Sequence, residues 1–108
     1  MVTGKNKEQF EEWYIKEFCN DISFMLYSDE IKLFNSLHFE MQLGVYLAYY
    51  DSKGYFIDVM YLFALKQYTF ELENKSGDLN LPYSNNLFNT RTEAYKEAFK
   101  QADKLSNQ

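Results

Sequence analysis

The sequence predicts an α+β fold over residues 1–108, read as a single domain: about three N-terminal helices, an antiparallel meander of two or three strands, and a C-terminal helix packed on the sheet. Three observations carry this reading. Residues 68–73 alternate, with Tyr68, Phe70 and Leu72 on one side and Thr69, Glu71 and Glu73 on the other, which is the period of a half-buried strand. Phe39, Leu43, Tyr46, Leu47 and Tyr50 recur at helical spacing before Gly54. Thr90-Arg91-Thr92-Glu93 is a capping box followed by Ala94, Ala98, Ala102 and Leu105 along one face.

Taken in order, Asn6 with Gln9 reads as a capping box, and Phe10, Trp13, Tyr14 and Phe18 give the first helix its apolar stripe, which Cys19 and Ile22 prolong. Ser28 caps a second, short helix that places Ile31, Phe34 and Leu37 on one side. Ser36 is the expected cap of the third helix and Gly54 its C-terminal stop. Gly44, inside that helix, costs about 1 kcal/mol against Ala, which predicts close packing by another backbone.

Residues 55–73 are read as a hairpin. Ile57, Val59 and Tyr61 share one face of its first strand, and Phe56, Asp58, Met60 and Leu62 share the other. A helix through Ile57, Tyr61, Leu65 and Tyr68 fits the spacing about as well, so the β-branched and aromatic content decides. The turn, near residues 63–66, has no Gly, Pro, Asn or Asp and so lacks the usual turn chemistry. After a turn at residues 74–78, Leu79-Asn80-Leu81 can begin a third strand before Pro82, residues 82–86 form a loop, and Leu87-Phe88 can rejoin the sheet as an edge. Residues 101–108 are expected to fray.

Composition narrows the function classes. The net charge is −5, and the deficit lies in residues 1–51, with nine acids against four bases, while residues 52–108 hold seven of each. An acidic chain with no basic run gains little from counterion release, so nucleic acid is a poor ligand and an anionic membrane a poor surface. No run reaches the roughly 18 to 20 apolar residues of a membrane span. The lone Cys19 suits a reducing compartment and residues 1–8 lack the apolar run of a signal peptide, so a cytoplasmic location is expected.

Catalytic chemistry has few places to assemble. His38 is the single histidine, so a Cys19/His38 pair is the one nucleophilic site available, and His38 reads more simply as a polar residue at a helix start. Glu11-Glu12 and Asp29-Glu30 sit in helical turns where the helix dipole explains them, and Glu71/Glu73 lie on the wet side of a strand. One Cys and one His leave a zinc site short of ligands, no Gly-rich phosphate loop occurs, and no cofactor is expected. Lys96, Lys100 and Lys104 recur as in a double-stranded-RNA-binding helix, but Glu93, Glu97 and Asp103 interleave with them in the pattern of a solvated face.

Ten Phe, ten Tyr and one Trp weigh more. Tyr46, Tyr49 and Tyr50 on the third helix and Tyr55 and Tyr61 on the first strand are candidates for a surface, and Phe56, Met60 and Leu62 form a second apolar strand face that needs cover. The final helix or the segment 79–88 supplies that cover, or else a protein partner or a second copy of the chain does. The expected function is therefore a small non-enzymatic protein-interaction module using Tyr49, Tyr55, Phe56, Met60 and Leu62. A small enzyme is the alternative, and RNA binding a lesser one.

At residues 39–46 (Phe-Glu-Met-Gln-Leu-Gly-Val-Tyr), 51–54 (Asp-Ser-Lys-Gly) and 88–94 (Phe-Asn-Thr-Arg-Thr-Glu-Ala), the chain resembles small uncharacterised proteins of bacterial phages and mobile elements. The resemblance implies a bacterial or phage setting and no functional residues.

Overall fold

A computed structural model describes residues 1–18, 27–75, 77 and 87–108. The elements run α1 (Gly4–Phe18), α2 (Tyr27–Asn35), α3 (Phe39–Lys53), β1 (Tyr55–Leu62), β2 (Gln67–Asn74) and α4 (Arg91–Ser106). This is the α+β arrangement expected from the sequence. α3 and α4 pack on the hairpin, and α1 lies against α2, α3 and α4.

The helix ends depart from expectation in instructive ways. α1 starts at Gly4, and the Lys7 N–H donates to the Thr3 carbonyl, so Asn6 lies inside the first turn and is not its cap. The Asn6 N–H, a first-turn donor with no intrahelical partner, instead donates to the Asn107 side chain at 2.9 Å. Ser36 does not cap α3 either, because that helix begins at Phe39, out of reach of its hydroxyl, which donates to the Leu33 carbonyl at the end of α2. His38 stands at the cap position without a side-chain bond to the helix. Gly54 ends α3 as expected, in the left-handed region at φ 85°. Gly44 meets nothing within 4 Å, so it serves no close helix packing.

β1 and β2 pair antiparallel from Tyr55↔Asn74 to Leu62↔Gln67, which excludes the helical alternative for this stretch. The chain reverses through residues 63–66, where the Leu65 N–H donates to the Leu62 carbonyl and the Lys66 N–H to the Phe63 carbonyl. Lys66 supplies the left-handed residue at φ 54° that Gly or Asn usually supplies, which is how a turn lacking both still closes. The proposed strand at Leu79-Asn80-Leu81 and the loop after it lie outside the described residues. Leu87-Phe88 does meet the sheet, as a single antiparallel bridge in which Phe88 and Tyr68 exchange backbone bonds of 2.9 and 2.8 Å.

Val59, Phe70 and Leu72, from the inner face of the hairpin, join Phe10, Phe34, Tyr46, Tyr49, Tyr50 and Phe99 in one buried cluster. Ala94, Ala98 and Ala102 are fully buried within it, and their small side chains let α4 lie close on the sheet. The Phe10 ring lies close to rings of two other helices, Phe34 of α2 at 5.4 Å and Tyr46 and Tyr49 of α3 at 5.1 Å. Each such contact adds about 0.5 to 1.5 kcal/mol beyond simple burial. Thr90 caps α4 as expected, accepting from the Glu93 N–H at 3.1 Å. The end of α4 is pinned where fraying was expected: the helix runs to Ser106, and the Asn107 side chain donates to the Thr3 carbonyl at 3.0 Å.

Candidate interaction surface

The hairpin sorts its side chains by strand alternation. Tyr55, Ile57, Val59 and Tyr61 with Tyr68, Phe70 and Leu72 point toward the helices, and Phe56, Asp58, Met60 and Leu62 with Gln67, Thr69, Glu71 and Glu73 point away. Toward its turn the hairpin outruns the helices. Tyr61 is 46% exposed there although it belongs to the inner face, its ring 5.0 Å from that of Tyr68, and the Arg91 guanidinium covers the Tyr68 ring at 5.1 Å.

Of the five residues expected to form a contact surface, Phe56 is 46% exposed and Met60, Leu62 and Tyr55 are half-buried. Tyr49 is a correction: only 2% exposed, it belongs to the core, as do Tyr46 and Tyr50. Its hydroxyl found an internal partner, donating to Asn6 Oδ1 at 2.6 Å, so the ring had no need of the boundary with water. The final helix does not cover the outer face of the sheet, since α4 is committed to the inner one. Thr69, expected on the wet side, is buried.

Two residues of this surface were missed. Phe63 is 82% exposed and Leu65 is 55% exposed, both at the turn. The signal is present in the sequence as apolar residues, Phe63 and Leu65, where turns usually carry polar ones.

A second cluster lies at the meeting of α1, α3 and α4. Asn6 is wholly buried and all four of its side-chain bonds are made: its amide donates to Tyr50 Oη at 3.1 Å and to Asp103 Oδ1 at 2.8 Å, and its Oδ1 accepts from Tyr49 and from Lys53 Nζ at 3.2 Å. Asp103 also accepts from the Thr3 N–H at 2.7 Å and the Thr3 hydroxyl at 2.6 Å. It is therefore turned inward and is no surface counterion for the α4 lysines. Burial pushes the Tyr46 phenol up to about 12 and the Tyr49 and Tyr50 phenols further the same way, with Asp103 adding to each. Burial also holds the Lys53 ammonium below the usual lysine range, against the pull of Asp103. With every side-chain donor and acceptor of Asn6 engaged, the cluster ties α1, α3 and α4 together.

The remaining candidates are scattered. His38 is exposed, while Cys19 and so the Cys19/His38 pair lie outside the described residues. Glu30 is buried, unlike the solvated acid expected, whereas Asp29 and Glu73 are exposed. Among the described residues no three His, Cys, Asp or Glu side chains are grouped as a metal site, and no helix is long and apolar enough to cross a membrane. A groove of about 480 Å³ beside α4 is lined by Met1, Phe88, Lys96, Lys100 and others, with mostly carbon walls, and Lys96 Nζ sits 5.2 Å above the Phe39 ring. Compared with known proteins, the chain matches no family model, no curated protein and no solved structure.

Proposed function

We propose that this protein is a non-enzymatic protein-interaction module whose contact surface is the hairpin, through its turn and its outer face. One observation supports this above the rest: Phe56, Tyr61, Phe63 and Leu65 stand in water on a single hairpin, while the core is filled by other residues. Large apolar side chains gathered on one projecting element are what a partner buries. The partner is protein, because a net charge of −5 disfavours a polyanion. The setting we assign is the cytoplasm of a bacterium, following the phage and mobile-element resemblance and the single cysteine.

The test is photo-crosslinking in bacterial cells with a benzophenone amino acid at position 63. A discrete adduct is expected, lost when Phe56→Ser and Tyr61→Ser are introduced together. Recovery of the uncrosslinked chain alone would sink the reading.

A further inference from the structure

The hydrogen-bond phase of the hairpin identifies which backbone groups of β1 are unused. Tyr68 exchanges both of its backbone bonds with Phe88, so on β2 the groups of residues 68, 70 and 72 point away from β1. The pairs that bond across the hairpin are then Leu62↔Gln67, Met60↔Thr69, Asp58↔Glu71 and Phe56↔Glu73. By alternation Ile57, Val59 and Tyr61 aim their N–H and C=O groups at the opposite edge, where no described residue bonds them. Among the described residues, Asp58 is the one device on this edge that discourages pairing. β1 holds no Pro, Gly or Lys, and its register with β2 runs without a bulge.

We propose that β1 pairs antiparallel with β1 of a second copy of this chain, on a two-fold axis through Val59, to make a four-stranded sheet. The proposal rests on the protein-interaction reading and names its partner. The charge pattern chooses both occupant and register. Centred on Val59, Ile57 meets the second copy's Tyr61, Phe56 meets Leu62 and Asp58 meets Met60, so the one charge of the strand never faces itself. Shifting the axis to residue 58 would set Asp58 directly against its own copy. The chosen register uses every outward group of Ile57, Val59 and Tyr61, and it puts Leu62 across from the exposed Phe56. A two-stranded sheet is marginal alone, and pairing doubles its strand count.

The test is light scattering on the full chain, with hydrogen exchange as the second readout. Wild type is expected at twice its 13.0 kDa mass, with the Ile57, Val59 and Tyr61 amides protected at dimer concentrations and exchanging on dilution. Met60→Asp, which sets carboxylates against Asp58 twice across the axis, should weaken association about tenfold or more, and Met60→Lys should strengthen it. Circular dichroism checks that each variant folds, and the amide protection of the unaltered chain tests the pairing if one does not. A dimer indifferent to both substitutions, or one whose three edge amides stay unprotected, overturns the proposal. A monomer that still yields a position-63 adduct with another protein overturns it while leaving the interaction reading standing, and a monomer without any adduct removes both.

Discussion

Asn6 shows how much one side chain can hold when it is placed among helices. Its amide links α1 to Tyr50 of α3 and to Asp103 of α4, and its oxygen receives Tyr49 and Lys53. Replacement by Ala strands buried donors and acceptors on all three elements, so Asn6→Ala should lower unfolding free energy by about 3 kcal/mol in a urea titration. The buried phenols give a pH dependence whose sign follows from burial. Tyr46, Tyr49 and Tyr50 hold their protons in the folded state above the ordinary tyrosine value of 10, which the unfolded chain keeps. Their contribution is complete below pH 10 and is lost as pH rises toward 12 and beyond. Lys53, shifted down, acts with the opposite sign and only up to its ordinary 10.5. Stability measured by thermal melts should fall above pH 10, and Tyr46→Phe, which keeps the ring and removes the least shifted of the three phenols, should reduce that fall by less than a third.

At the scale of elements, ends and turns carry the testable energetics. Lys66 occupies a left-handed conformation that glycine enters freely, so Lys66→Gly should stabilise the hairpin by about 0.5 to 1 kcal/mol. Gly44 lies in α3 with open space where a Cβ would go, and Gly44→Ala should add up to about 1 kcal/mol. Either result reversed in a chemical-denaturation series would contradict the local geometry. The two termini of the described chain meet in a mutual cap: Asn107, at the end of α4, accepts from the Asn6 N–H of α1, while Asp103 sets a carboxylate at the N-terminus of α1, which has no acid in its own first turn.

For the whole molecule, the division between a closed core and an apolar hairpin turn separates stability from binding. Phe63→Ser with Leu65→Ser should leave unfolding free energy within about 0.5 kcal/mol of wild type, because neither side chain is buried, and Leu65→Ser alone, with the benzophenone kept at position 63, should weaken the crosslinked adduct. A large loss of stability would place these residues in the fold instead.

The local pattern of the sequence was enough for the α+β class, the hairpin, the stop at Gly54, the cap at Thr90 and the alanine face of α4, since each depends on neighbours within a few residues along the chain. The contact surface was half readable, with Phe56 found and Phe63 and Leu65 passed over. What only the tertiary structure decided were the long-range pairings. Asn6 reads locally as a cap, Asp103 as a solvated acid and Tyr49 as a surface ring. All three are drawn into one buried cluster because α1, α3 and α4 converge there, and a buried polar group goes where its partners are, however distant they lie in sequence.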